Sequence, residues 1–183
     1  AWKKYYQGIY RANVFLDKID GIDFGANTAL KDRYTGEAHF LRAYFYFDLV
    51  RMFGHIPLLT KPIEGDNYYV PQANPDSVYV LIGQDLKEAV SKLSASAVKF
   101  SDVPLTDYGR ATKWAAEALL GRVFLYYTGY YGKPDLAGVA NKQDAIAAVK
   151  DVIDNSGYGL VPSYAGLWRS SALTEGVPFA GQN

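Results

Sequence analysis

The side chains best suited to chemistry in this sequence are aromatic. Sixteen tyrosines, nine phenylalanines and three tryptophans occur among 183 residues, and tyrosine joins an apolar face to one hydrogen-bonding tip. Sugar recognition requires flat apolar faces for pyranose rings, flanked by amide, carboxylate or guanidinium groups. Helical aromatics are committed to packing, so the candidates lie in loops. Tyr68 and Tyr69 beside Asp66 and Asn67 have the best composition for a ligand-binding role, followed by Trp2 and Trp168. For each of these, core or interdomain packing is the competing reading.

Catalytic and metal-binding patterns are missing. The chain has no cysteine, which removes disulfides, thiolate metal sites and a cysteine nucleophile together. Its two histidines, His39 and His55, stand apart with no HExxH spacing. No GxSxG elbow, Walker loop or GxGxxG run occurs, and Gly157-Tyr158-Gly159 reads as a turn. Asp85 and Glu88 read as a solvated helix face rather than as the carboxylate pair that glycoside hydrolysis needs. Asp20 and Asp23 lack the dense acidic loop that calcium favours. The expectation is therefore no catalytic residue, no metal and no cofactor.

Lysine plus arginine and aspartate plus glutamate both number 19. Zero net charge gives no general attraction to nucleic acid or anionic membranes, and no apolar run reaches the length of a membrane span. The length is that of one domain, residues 1–183, able to bury roughly 70% of its unfolded surface. The chain opens on Ala1 and closes on GVPFAGQN without a terminal helix or strand. Both ends read as cut from something longer.

The elements that must position these side chains are helices. The organising stretch is EAHFLRAYFYFDLVRMFGHIP, residues 37–57, with Ala38, Leu41, Phe45, Leu49 and Met52 on one predicted face. Aromatics most of the way round predict a helix packed on at least two sides. It starts near Thr28, ends at Gly54 and is barred from continuing by Pro57. A first helix over residues 2–19 carries Tyr6, Ile9, Tyr10, Asn13, Leu16 and Ile19. A non-helical connection over 58–76 holds Pro62, Pro71 and Pro75, and long ordered loops are usually functional or docked. Asn74 or Asp76 caps the next helix, whose stripe is Val78, Leu81, Ile82, Leu86, Ala89 and Leu93. A fourth helix is expected over about 110–127. A fifth, over 142–154, buries Ala145, Ile146, Val149 and Ile153, and the tail from Tyr158 is loop. The strand-like fragments, 68–70 and 159–161, are short, so the predicted class is all-α.

An internal repeat is also visible. Glu37, Ala38 and Arg42 match Glu117, Ala118 and Arg122, with aromatics following in both segments and glycines closing them at Gly54 and Gly132. Small residues where helices approach, then aromatics where gaps widen, is the grammar of divergent tetratricopeptide-like helix pairs, here joined by long connecting loops.

These residues resemble the SusD/RagB family of surface glycan-binding lipoproteins. GEAHFLRAYFYFDLVRMFGHIPLLTKPI is similar to its signature helix and exit turn. Trp2, Tyr6, Ile9, Ala12 and Asn13 resemble the preceding helix. Val78, Tyr79, Ile82, Asp85, Leu86, Ala89 and Leu93 resemble the following one. GRATKWAAEALLGRVFLYYTGYYG and SGYGLVPSYAGLW complete the series in order, with Trp168 where the family usually has phenylalanine. The resemblance implies a non-catalytic role at the cell's outer membrane: binding oligosaccharide or polysaccharide as a lid on a TonB-dependent transporter, with no nucleic-acid partner. It implies a lipid anchor outside this stretch, which corresponds to the helical-repeat core only. None of the candidate sugar-contacting residues is carried over from the family. The rival readings are a helical-repeat scaffold that cradles a peptide or protein partner, and an all-α carbohydrate-active enzyme for which no residue pair is indicated.

Overall fold

The computed structural model describes residues 1–63, 65, 69–160 and 164. Among the described residues five α-helices follow one another: α1 Trp2–Lys18, α2 Thr28–Phe53, α3 Pro75–Leu93, α4 Lys113–Tyr131 and α5 Lys142–Asn155. One small antiparallel sheet interrupts them, pairing β1 Ile56–Pro57 with β2 Gln72–Ala73 in the register Ile56↔Ala73. The all-α class holds.

Side chains at the N-terminal ends explain where four of the helices start. Asn27, Asn74, Thr112 and Asn141 each accept a backbone N–H of the first turn, on α2, α3, α4 and α5 respectively. Such caps are worth about 1 kcal/mol each. Pro75 begins α3, where its missing N–H costs nothing. Gly132, at φ 63°, closes α4 in the left-handed conformation.

The helices form an antiparallel meander in which each packs on the next. Gly8 of α1 meets the Phe45 ring of α2. Gly36 of α2 lies against Leu93 of α3, and Phe47 meets Tyr79 further along the same seam. Tyr79 packs on Tyr127 of α4 at 4.6 Å between ring centroids. Gly121 of α4 touches Val149 of α5. The core runs along these seams through Ile9, Tyr46, Phe47, Leu49, Ile82, Leu86, Val123 and Tyr127.

Several expectations about faces are corrected. Leu41 and Met52 are 44% and 49% exposed. The buried line of α2 runs instead through Ala38, Arg42, Tyr46 and Leu49, and through Ala43, Phe47 and Val50. It faces α1 on one side and α3 on the other, the two-sided packing expected of this helix, but shares only Ala38 and Leu49 with the predicted face. Helix α4 starts at Lys113 rather than Arg110. The Arg110 guanidinium is engaged outside the helix, in a two-pronged pair with Glu37 at 2.8 and 2.7 Å. The helix also continues through Gly129 to Tyr131.

The repeat does not extend to burial. Ala38 and Arg42 are buried, whereas Ala118 and Arg122 are exposed. Helix α4 meets α3 through Ala116, Val123 and Tyr127, and α5 through Lys113, Glu117 and Gly121, which turns residues 118 and 122 outward. On α5 only Ala145 of the predicted face is buried; Ile146 and Ile153 face outward, and Val149 sits against Gly121 yet stays 38% exposed.

Candidate functional site: a loop base pinned by buried polar groups

The connection between α2 and α3 is closed at its base. Gly54, at φ 69°, turns the chain out of α2. The β1–β2 pairing brings residues 56–57 against 72–73, so the intervening segment leaves and returns at one place.

Four side chains of α1 and α2 hold its outgoing arm. Tyr6 donates its hydroxyl to the Pro57 carbonyl at 2.7 Å. The Tyr46 hydroxyl donates to the Leu59 carbonyl and accepts the Leu59 N–H, both at 2.8 Å. Asn13 Nδ2 donates to the Leu59 carbonyl at 2.8 Å and more weakly to that of Lys61. Arg42 reaches the Thr60 carbonyl at 3.4 Å. Backbone groups that a β-ladder would normally satisfy are met by side chains here, which fixes an irregular arm without regular structure.

Beneath the arm lies a charged network. Arg42 grips Asp85 of α3 through two bonds of 2.7 Å and donates to Asn13 Oδ1 at 2.8 Å. His39 Nδ1 adds a third contact to Asp85 at 2.7 Å. Asn13, Arg42 and Asp85 are all buried. Charges so desolvated persist only when paired and hydrogen-bonded on every side. Three helices are thus tied to one another and to the loop base at one point. Burial also pushes the Tyr46 hydroxyl up to about 12, so it stays protonated and can donate.

This network corrects the reading of Asp85 as facing water; only Glu88 is exposed. The sequence held the signal. Val78, Ile82, Asp85 and Ala89 recur at helical spacing, so Asp85 sits on the apolar stripe itself. An acid on such a stripe calls for a buried cation, and Arg42 on the aromatic α2 is that cation.

Of the proposed ligand residues, Asn67, Tyr68 and Trp168 lie outside the described residues. Tyr69 stands on the returning arm with 90% of its surface exposed. Trp2, 39% exposed, meets Tyr6 at 4.9 Å and the edge of Phe53 at 5.0 Å. Since Tyr6 holds Pro57, Trp2 lies beside the loop base. Among the described residues, no three His, Cys, Asp or Glu side chains are placed to hold a metal ion. Nor is any helix there long and apolar enough to cross a membrane.

Residues 1–125 match the SusD-like family described as starch-binding and associating with the outer membrane. The chain belongs to the SusD-like family. A SusD-like protein of Bacteroides ovatus is 29% identical over 174 residues, covering 92% of this chain and 30% of that protein. A solved laminarin-binding SusD-like protein is 34% identical with a TM-score of 0.74, over 93% of this chain and 34% of the other. A SusD-like protein of Bacteroides fragilis gives 32% identity and a TM-score of 0.73, over 94% and 31%. This SusD-like chain therefore spans about a third of the length of the relatives it matches.

Proposed function

We propose that this chain is the helical scaffold of a non-catalytic glycan-binding protein, held at the outer-membrane surface by a lipid anchor outside this stretch. In this reading the full-length protein captures oligosaccharide for a TonB-dependent transporter. One observation carries the reading: 93% of the chain aligns with a laminarin-binding SusD-like structure. The loop-base geometry supports it, because the part of the arm from Pro57 to Lys61, fixed by Tyr6, Asn13, Arg42 and Tyr46, needs no further ordering on binding. The contacts proposed within this stretch are Tyr69 and Trp2, together with Asn67, Tyr68 and Trp168.

Isothermal titration of the full-length protein against a panel including laminarin and starch oligosaccharides tests the proposal. Saturable binding to at least one glycan, with a transporter co-purifying from outer membranes, is the expected result. A protein that binds no glycan in the panel and brings down no transporter refutes it.

A further inference from the structure

A second set of buried polar groups, away from the loop base, meets at the seam between α4 and α5. Glu117 of α4 is 5% exposed, and its Oε2 has no hydrogen-bond partner. Lys113, one turn earlier, stands 3.5 Å from the other carboxyl oxygen and reaches across to Asp151 of α5 at 2.6 Å. The Asp151 carboxyl is itself within hydrogen-bonding reach of Glu117. One ammonium therefore serves two acids that belong to different helices.

Two carboxylates in contact beside one lysine leave a surplus negative charge, and a desolvated group in that position keeps its proton. The surroundings decide which acid holds it. Asp151 accepts from Lys113 through Oδ2 and from the Asn155 amide through Oδ1, both at 2.6 Å. Those bonds favour its anion and hold its carboxyl below the ordinary range. Glu117 has the longer contact with Lys113 on one oxygen and no partner on the other, so the proton belongs to Glu117. As a neutral acid it donates to Asp151. The other charged groups bordering this pocket are engaged elsewhere. Lys87 of α3 donates to the Val139 carbonyl at 2.6 Å and lies 3.9 Å from Asp144 of α5, which accepts the Asn141 N–H in the helix cap. Val90, Leu120, Ala147 and Ala148 make up the apolar rest of its lining.

We infer that Glu117 and Asp151 share one proton across the α4–α5 seam, and that this bond is an acid-closed clasp on α5. With the proton in place, the two helices are joined by a carboxyl–carboxylate bond and by Lys113. Once the proton leaves, two carboxylates face each other beside a single ammonium, and their repulsion favours separation. Helix α5 is the element placed to respond, because it packs chiefly on α4 among the described residues. Beyond its C-terminal end the Ser156 carbonyl accepts the Phe100 N–H at 2.8 Å, so the helix that loosens stays tethered. The inference rests on this seam alone and does not require glycan binding.

The test is hydrogen exchange of α5 peptides in the full-length protein at stepped pH, corrected for the intrinsic exchange rate. Burial raises the Glu117 carboxyl from 4.5 to about 7, so α5 protection should fall by up to about tenfold per pH unit across that interval and level off above it. Glu117→Gln, whose amide still donates to Asp151, should lose the pH dependence and at pH 8 keep the protection that the parent has lost. Asp151→Asn removes the facing charge, so its profile should level off at a pH lower by about one unit or more; a purely packing role for Asp151 would leave that pH unmoved. A parent protein whose α5 protection does not change with pH overturns the inference without any variant. A full pH dependence surviving in Glu117→Gln overturns it as well, as does an unshifted profile in Asp151→Asn. Glycan titration is a separate readout, so failure to bind sugar leaves the exchange result intact.

Discussion

Replacing Asp85 with alanine should be among the most damaging single changes available in α3. Asp85 accepts two bonds from Arg42 and one from His39, all at 2.7 Å, and the ion-paired side chains are 8% and 3% exposed. Bonds to charged groups contribute about 1.5–3 kcal/mol each, so a simple sum over three exceeds about 4 kcal/mol. Arg42 keeps Asn13 and the Thr60 carbonyl in the variant, which limits the loss. Removing one partner of a buried pair costs about 3–5 kcal/mol, and that is the expected destabilisation in urea denaturation of the full-length protein. The informative companion is Asp85→Leu combined with Arg42→Met. Exchanging both partners for apolar groups of similar volume is often neutral or stabilising, so most of the lost stability should return. The loop base should not recover, because Asn13 loses its positioning partner and Thr60 its donor. Hydrogen exchange at the Leu59 amide, bonded to the Tyr46 hydroxyl, should be faster in the double variant than in the parent. An Asp85→Ala protein within about 0.5 kcal/mol of the parent, the scatter of ordinary surface changes, would show that the network does not hold the helices together.

Further outcomes follow from the same packing. Burial pushes the Glu117 carboxyl up from 4.5 to about 7, against the opposing pull of Lys113 at 3.5 Å. A raised folded-state value means that its stabilising contribution is complete below pH 4.5 and is lost as pH rises through about 7. The full span is on the order of 3 kcal/mol, and Glu117→Gln should flatten the stability profile between pH 5 and 8 in thermal melts at stepped pH; an unchanged slope rejects the assignment. Gly36→Val should destabilise by roughly 2 kcal/mol or more, because even a Cβ there meets Leu93 Cγ at 2.7 Å and Lys92 Cβ at 3.0 Å; a parental urea midpoint would contradict the close α2–α3 approach. Tyr6→Phe removes the donor to Pro57 and should cost about 1 kcal/mol with the fold intact, as read by circular dichroism and urea titration. If Tyr69 stacks on sugar, Tyr69→Ala should weaken the glycan found by titration by about fivefold, roughly 1 kcal/mol of aromatic contact, with unchanged stability; unchanged affinity removes Tyr69 from the site.

What the sequence determined by itself was local. Asn74, Pro75, Gly54 and Gly132 mark helix ends through conformational preferences that act over a few residues, so the element order could be read without a structure. The family could be read too, since its motifs run along those same helices. Which face each helix buries belonged to the tertiary structure. Leu41, Met52, Ile146 and Ile153 have the spacing of a buried stripe and are exposed, because a face is buried only where a neighbour arrives, and no local pattern records the neighbour. Asp85 shows the converse: acidic by type, it is buried because Arg42 and His39 stand 43 and 46 residues away in sequence yet within 2.7 Å in space. The aromatic composition pointed to the loop after α2, but the means of holding it there did not appear in any single segment. Asn13, Arg42 and Tyr46 come to one loop base only when α1 and α2 have already packed, and that convergence of distant polar groups on backbone carbonyls is a property of the folded chain alone.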